Sequence, residues 1–452
     1  MDVTVIDTPQ LGDRSYLVHD GEVALVVDPQ RDTDRVEAAA VAAGVRITHV
    51  AETHLHNDYV TGGLQLAQKI GANYLVNGAD EVQYKRTAVH DGAELRVGSL
   101  HVAVVATPGH TEHHLSYVVT DGDEQAVFSG GSLLFGSVGR TDLVDDAKTE
   151  ELTRAQYTSV RRITDQARDD ANLYPTHGFG SFCSSGPATG ATSSTVGEQI
   201  GSNHALTDDD EEHFVRDLIA NLTAYPSYYA HMGPANAKGP ARVDLTVPEP
   251  LVADELVRRL QTGQWVVDLR NRVAFADDHL AGAVSFEYGD GSSFTTFLGW
   301  VLPWGDRITL AGTREDVEKA IRDLSRIGID SPDAAIGDSP EQLAPGAPTS
   351  TYPRVDWSGM LAQRPARDVV LDVRRDDEYA GSHVEGAVGI PLHELLTRID
   401  EVPVGRLWVH CGSGYRAGVA SSLLQRAGRD VVHVDAMFDD AAPAGVPLVE
   451  QS

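Results

Sequence analysis

The sequence predicts an α/β protein of three domains. Its 452 residues exceed one ordinary domain. Short β-rich runs alternate with helical stretches through the first half. The second half repeats itself at an interval of about 100 residues.

In order along the first half, the β-rich runs are Val23–Asp28, Thr48–Glu52, His101–Thr107 and Gln125–Ser129, and the helical stretches are Thr33–Ala43, Thr61–Ile70 and Glu150–Asp169. Tyr225–Pro240, rich in Pro, Tyr, Gly and Asn, breaks this pattern and reads as a linker. Beyond it, Val266-Val267-Asp268-Leu269-Arg270 followed by Asp278-His279-Leu280-Ala281-Gly282-Ala283-Val284 matches Val370-Leu371-Asp372-Val373-Arg374 followed by Ser382-His383-Val384-Glu385-Gly386-Ala387-Val388. Arg307-Ile308-Thr309-Leu310-Ala311-Gly312 then aligns with Arg406-Leu407-Trp408-Val409-His410-Cys411, so the first copy has Gly312 where the second has a cysteine. Asp330–Tyr352, rich in Pro, Ser, Ala and Gly, reads as a second linker. The expected domains are 1–240, 241–345 and 350–452.

A formal net charge of −31 repels nucleic acid phosphates and anionic lipid, so neither is an expected partner. No apolar run approaches the ~18 residues of a membrane span, and the first residues show neither a basic start nor an apolar core. The expected location is the cytoplasm. Two cysteines, Cys183 and Cys411, are too few for a disulfide framework and read as free thiols. A homo-oligomer is left open.

Two segments carry chemistry. His54-Leu55-His56-Asn57-Asp58 follows a strand-like run and aims two imidazoles and a carboxylate at a common point. His110, in Thr107-Pro108-Gly109-His110-Thr111, and His177, in Tyr174-Pro175-Thr176-His177-Gly178, also sit just after such runs, where a rigid scaffold can present ligands to a metal. The expected metal ligands come from His54, His56, Asp58, His110 and His177. Cys183 follows His177 by six residues on a loop expected to face the same cleft, where it could bind or relay substrate sulfur or lie buried.

The second segment is Cys411-Gly412-Ser413-Gly414-Tyr415-Arg416. Trp408-Val409-His410 runs as a strand into Cys411, and Ala417–Ala427 is helical in composition. Cys411 therefore sits at a helix N-terminus, where free N–H groups favour an anionic sulfur. Gly412 and Gly414 let the loop curl around substrate, and Arg416 adds a fixed positive charge. The expected catalytic pair is Cys411 and Arg416.

This loop, with Asp372-Val373-Arg374 and His383-Val384-Glu385-Gly386-Ala387 upstream, resembles rhodanese-type sulfurtransferases. The first copy then looks like a rhodanese domain without its nucleophile. The histidine set resembles the metallo-β-lactamase fold, an αββα sandwich. Thr53-His54-Leu55-His56-Asn57-Asp58-Tyr59 and Val138-Gly139-Arg140-Thr141-Asp142-Leu143 narrow the resemblance to its persulfide dioxygenase branch, in which Arg140 is expected to contact substrate. That branch implies one Fe(II) held by two histidines, matching His54 and His110, and one aspartate. It implies oxidation of low-molecular-weight persulfides to sulfite and thiol, with sulfur transfer between sulfite, thiosulfate and Cys411. Tyr59 stands where two-metal hydrolases place a histidine.

Gly131, in Phe128-Ser129-Gly130-Gly131-Ser132, stands where the branch has its aspartate. Three outcomes are open: iron held by His54 and His110 with an exchangeable third ligand, a rearranged site using His56, Asp58 or His177, or no tight metal. Iron held weakly is the expectation and zinc the alternative, and an aspartate introduced at 131 is expected to raise metal content. The rival functions are a metal-dependent thioester hydrolase of the glyoxalase II type and a sulfurtransferase whose first domain only binds.

Overall fold

The computed structural model describes residues 1–289 and 293–450. The chain divides into two compact units, the first Met1–Val243 with Ser325–Gly328, the second Asp244–Leu324 with Ile329–Ser452.

The first unit is a sandwich of two sheets. Asp2–Thr8, Asp13–His19, Val23–Val27, Arg46–Ala51, Asn73–Asn77 and Thr87–Val89 lie side by side in chain order. The opposing sheet runs Asn172–Pro175, Glu124–Gly130, Leu115–Asp121, Leu100–Ala106 and Glu94–Val97. Strand side chains alternate between faces, and the packing follows that period. Tyr16, Val18, Leu25 and Val27 enter the core between the sheets with Val102, Val104, Tyr117 and Phe128. Leu17, Ala24 and Val26 turn the other way, onto the layer built from helices Asp34–Ala43 and Gly63–Ile70. Helix Thr149–Gln166 covers the second sheet through Val160 and Ile163. The result is an αββα sandwich with both sheets buried on both faces.

The second unit contains two parallel sheets of like construction. One runs Val284–Ser285, Trp265–Asp268, Ile308–Gly312, Asp333–Ile336; the other runs Arg354–Val355, Asp430–Val434, Arg406–His410, Val369–Asp372, Val388–Gly389. Asp268 lies opposite Ala311 in the first, and Asp372 opposite His410 in the second. The next residues, Gly312 and Cys411, are therefore equivalent in register. In the first copy helix Arg314–Arg326 begins almost at once, whereas four residues separate the strand end at His410 from helix Tyr415–Arg426. That inserted turn is the cysteine loop.

Both expected linkers are corrected. Tyr225–Pro240 contains helix Tyr229–Lys238, with Pro234 inside it. Its Pro and Gly content concealed a face bearing Tyr229, Met232 and Asn236, all buried. Asp330–Tyr352 contains Asp333–Ile336, the edge strand of the four-stranded sheet. At four residues that strand is too short to stand out among the flanking Pro, Ser and Gly.

Candidate metal centre and cysteine loop

His54 follows strand Arg46–Ala51, His110 follows Leu100–Ala106 and His177 follows Asn172–Pro175. The sandwich brings these three loops together. One ring nitrogen from each of the three histidines lies within 4.8 Å of the others.

The hydrogen bonds fix which nitrogen each ring offers. The Thr53 hydroxyl donates to the Asp28 carboxylate at 2.7 Å, so its oxygen accepts from His54 Nδ1 at 2.9 Å. His110 Nδ1 donates to the Arg140 carbonyl at 2.7 Å, and His177 Nδ1 to Asp13 at 2.9 Å. Each ring therefore turns its Nε2 inward; burial lowers the pKa of His54 and of His110, whereas, against burial, the Asp58 and Asp13 carboxylates push that of His177 well up, so a metal must displace a proton from His177 Nε2. His110 Nε2 is fully buried without a hydrogen-bond partner, an arrangement that costs free energy unless a ligand fills it. His54 Nε2 and His177 Nε2 stand 3.4 Å apart. That is about the 3.4 Å separating two tetrahedral nitrogens that each lie about 2.1 Å from one ion. The donor set fits a divalent metal, and each imidazole has the outer partner that metal-binding histidines ordinarily have.

Asp28 anchors this shell. It lies at φ 52°, a left-handed conformation that costs energy for a side chain larger than glycine. From there its carboxylate also takes the Thr53 N–H at 2.7 Å and the Thr176 hydroxyl, tying two ligand loops to one acid. Neither Asp28 nor Asp13 belongs to a local motif, and sequence reasoning missed both.

Of the three outcomes open at Gly131, the geometry favours a site that draws on His177. A Cβ placed there would lie 2.1 Å from His110 Cδ2 and 2.7 Å from its Nε2. The imidazole of His110 occupies the space that an aspartate at 131 needs, while the Gly131 N–H donates to His114 Nε2 at 3.0 Å. His177 is the candidate third donor.

His56 and Asp58 lie beside the three histidines, and with His177 they form a second, overlapping cluster. His177 Nδ1 is already held by Asp13 and Asp58, at 2.9 and 3.1 Å, which leaves its Nε2 for the set with His54 and His110. His56 Nε2 faces Tyr59 at 3.0 Å, Asp28 at 3.2 Å and Glu52 at 3.4 Å. Burial alone would lower the His56 pKa, but these two carboxylates raise it to about 9. Cys183 is fully buried nearby, its thiol pushed well up by burial and by the adjacent Asp58 charge. Arg140, expected to contact substrate, is held by the protein itself. It is 2% exposed, and four of its five N–H groups bond Asp142, the Phe182 carbonyl and the Thr223 carbonyl. Its guanidinium fixes loops, and its carbonyl orients His110.

Helix Tyr229–Lys238 holds the ligand loop from outside. Asn236 is fully buried, donates to the carbonyls of His56 at 2.8 Å and Tyr59 at 2.9 Å, and accepts from the Thr61 N–H at 2.9 Å. Asn236→Ala orphans three buried backbone groups, so a loss of roughly 2–4 kcal/mol in stability is expected. Chemical denaturation measures it, and metal retained after dialysis should fall in parallel.

A cavity of about 590 Å³ opens beside the centre. Leu55, Asn57, Thr111 and Tyr229 are among its lining residues, and His54, His110 and His177 are not.

In the second unit, Cys411 is buried and its Sγ accepts the Ala417 N–H at 3.3 Å, inside the first turn of helix Tyr415–Arg426. Gly414 precedes that helix at φ 87°, and a Cβ there would meet Asp435 Oδ1 at 2.0 Å. Only glycine permits this turn. Gly412 instead offers its carbonyl to the Phe438 N–H at 2.8 Å, fastening the loop. Arg416 pairs both ends of its guanidinium with Glu378, at 2.6 and 2.7 Å. Burial would raise the Glu378 pKa, but the Arg416 bonds hold it at about 2. This carboxylate is depressed, so the pair's contribution is whole above about pH 4.5 and is lost as pH falls toward 2. Arg416→Lys retains charge but breaks the fork, and a fall in sulfurtransfer of about tenfold is expected. Glu378→Gln should act in the same direction. Thiosulfate kinetics on both variants check it.

Residues 11–178 match the metallo-beta-lactamase superfamily model, and residues 358–440 match the rhodanese-like domain model. Human mitochondrial persulfide dioxygenase ETHE1 is 28% identical over 238 residues, covering 52% of this chain and 81% of that protein. A hydroxyacylglutathione hydrolase of Acidiphilium cryptum is 36% identical over 121 residues, 26% of this chain and about half, 49%, of the hydrolase. A solved metallo-beta-lactamase of Staphylococcus aureus superposes with a TM-score of 0.67 at 28% identity, over 75% of this chain and 99% of that one. The chain joins a metallo-beta-lactamase superfamily domain to a C-terminal rhodanese-like domain.

Proposed function

We propose that the first domain oxidises the sulfane sulfur of a low-molecular-weight persulfide to sulfite, and that Cys411 moves sulfane sulfur between sulfite, thiosulfate and a thiol. The observation that carries this reading is the convergence of three oriented Nε2 atoms, one of them buried and unpartnered, in a domain similar to a persulfide dioxygenase over 81% of that protein's length. Persulfide, O2 and water give thiol, sulfite and two protons. The outer sulfur loses four electrons and O2 gains them.

His54, His110 and His177 would hold one metal, proposed to be iron, which when bound supplies open positions for sulfur and O2. The chain's own groups do the rest. Asp13 keeps the proton on His177 Nδ1, and the Arg140 carbonyl keeps it on His110 Nδ1, so neither ring can turn its lone pair away. Burial of all three rings excludes bulk water, which protects the oxidised sulfur from premature release. Cys183 is held as a thiol by burial and by the charge of Asp58 beside it.

In the second unit Cys411 attacks the outer sulfur of thiosulfate, releasing sulfite and leaving a cysteine persulfide; a thiol or sulfite then takes that sulfur. The Ala417 N–H stabilises negative charge on Sγ, and Arg416 acts as a positioning residue through Glu378. The sheet that carries Gly312 is read as a second rhodanese-like domain without a nucleophile.

Metal analysis of protein purified without added metal, coupled to O2 uptake with a synthetic persulfide, tests the proposal. One iron with persulfide-dependent uptake supports it. Zinc with thioester hydrolysis and no uptake would replace it with the hydrolase reading favoured by the 36% identity to the hydroxyacylglutathione hydrolase.

A further inference from the structure

The cavity beside the metal centre has a charge pattern that the reaction itself does not require. Asp80, Glu112, Asp142, Asp145 and Asp146 line it, and no lysine or arginine does. Two of these acids are matched from outside the lining, Glu112 by Lys148 at 2.5 Å and Asp142 by Arg140 at 2.7 Å. Asp145 caps the turn at Ala147, and Asp146 is exposed on the rim.

Asp80 is the informative group. Its side chain is 8% exposed and its Oδ1 meets His113 Nδ1 at 3.0 Å, but its Oδ2 is buried without a partner. The neighbouring Arg86 bonds the backbone carbonyls of Gly78 and Asp80 instead. Thr111, 8% exposed on the same wall, also has a buried hydroxyl without a partner. A buried acceptor left open at the wall of a cavity calls for a donor from a ligand. The apolar remainder, Leu55, Leu143, Tyr225 and Tyr229, suits a short carbon chain.

We infer that this cavity seats the tail of the thiol carrier and selects a carrier whose tail bears an ammonium group. The inference rests on the persulfide reading. Such a molecule is a dipole matched to the site, with its anionic sulfur toward the three histidines and its cation among the carboxylates. A carrier tail ending in a free carboxylate meets like charge there, reinforced by the net charge of −31 on the chain.

The test is equilibrium binding to chelator-treated full-length protein, which needs neither metal nor turnover. Cysteamine, N-acetylcysteamine and 3-mercaptopropionate supply a cationic, a neutral and an anionic tail of similar length. Calorimetry or ligand-observed NMR at low salt should give cysteamine at least a tenfold lower Kd than 3-mercaptopropionate, with the neutral thiol between them. The ratio should shrink toward unity at about 0.5 M salt. Asp80→Asn should remove most of the preference, and Asp146→Asn on the exposed rim should reduce it in a variant whose folding is not at stake. Equal or tighter binding of the anionic thiol overturns the inference, as does a preference unmoved by either substitution. Cationic preference without persulfide-dependent O2 uptake would leave this inference standing and sink the proposed reaction.

Discussion

Cys411→Ser abolishes thiosulfate:thiol sulfurtransfer, a loss expected to exceed about a thousandfold because a hydroxyl cannot carry the persulfide intermediate. The second unit has no other thiol. Its equivalent strand end is Gly312, followed directly by helix Arg314–Arg326, so the first copy has neither a nucleophile nor the turn that would surround one. The small volume change leaves the Gly414 turn and the Arg416–Glu378 pair in place, so stability should move by less than about 1 kcal/mol. Persulfide-dependent O2 uptake should continue. Steady-state sulfurtransfer assays and an oxygen electrode on the same preparation check both halves, and sulfurtransfer near the wild-type rate would send the search to Cys183.

The parts of this molecule legible in the sequence are those with short-range signatures. His54, His56 and Asp58 announce themselves by spacing alone, and the repeat alignment of Gly312 with Cys411 agrees with the strand register. What the sequence leaves open depends on distant partners. His177 stands 123 residues from His54 in the chain, and only the packing of two sheets brings its Nε2 beside that of His54. Asp13, Asp28 and Asn236 act through single hydrogen bonds to loops far away in sequence, with no local pattern to mark them. The burial of Arg140 is likewise not legible in its motif position. Helix Tyr229–Lys238 was hidden by Pro234 and Gly233, yet Gly233 faces the ligand loop closely: a Cβ there would lie 2.7 Å from Asn57 Oδ1.

Gly131→Asp lowers metal content instead of restoring a triad. A Cβ at 131 falls 2.1 Å from His110 Cδ2, far inside any real contact, so the ring must move. It has nowhere to go. Its Nδ1 is bonded to the Arg140 carbonyl at 2.7 Å, its backbone N–H to Gln156 at 3.0 Å, and Gly139 closes the other side, where a Cβ would lie 2.7 Å from Nδ1. Gly131 and Gly139 together form a slot for this imidazole. Gly131→Ala isolates the steric part, since it adds the Cβ without a carboxylate, and it should already reduce metal occupancy by about tenfold, as one misaligned ligand in three is expected to do. His177→Ala should act at least as strongly, because it removes a donor outright. Gly131→Asp should match Gly131→Ala or be worse, because it adds a further acid to a buried site in which Asp58 and Asp13 already repel one another. Parallel metal analysis of the four proteins decides the matter: metal content that rises in Gly131→Asp above the wild type would mean that His110 yields its place and that the carboxylate, not His177, is the natural third ligand.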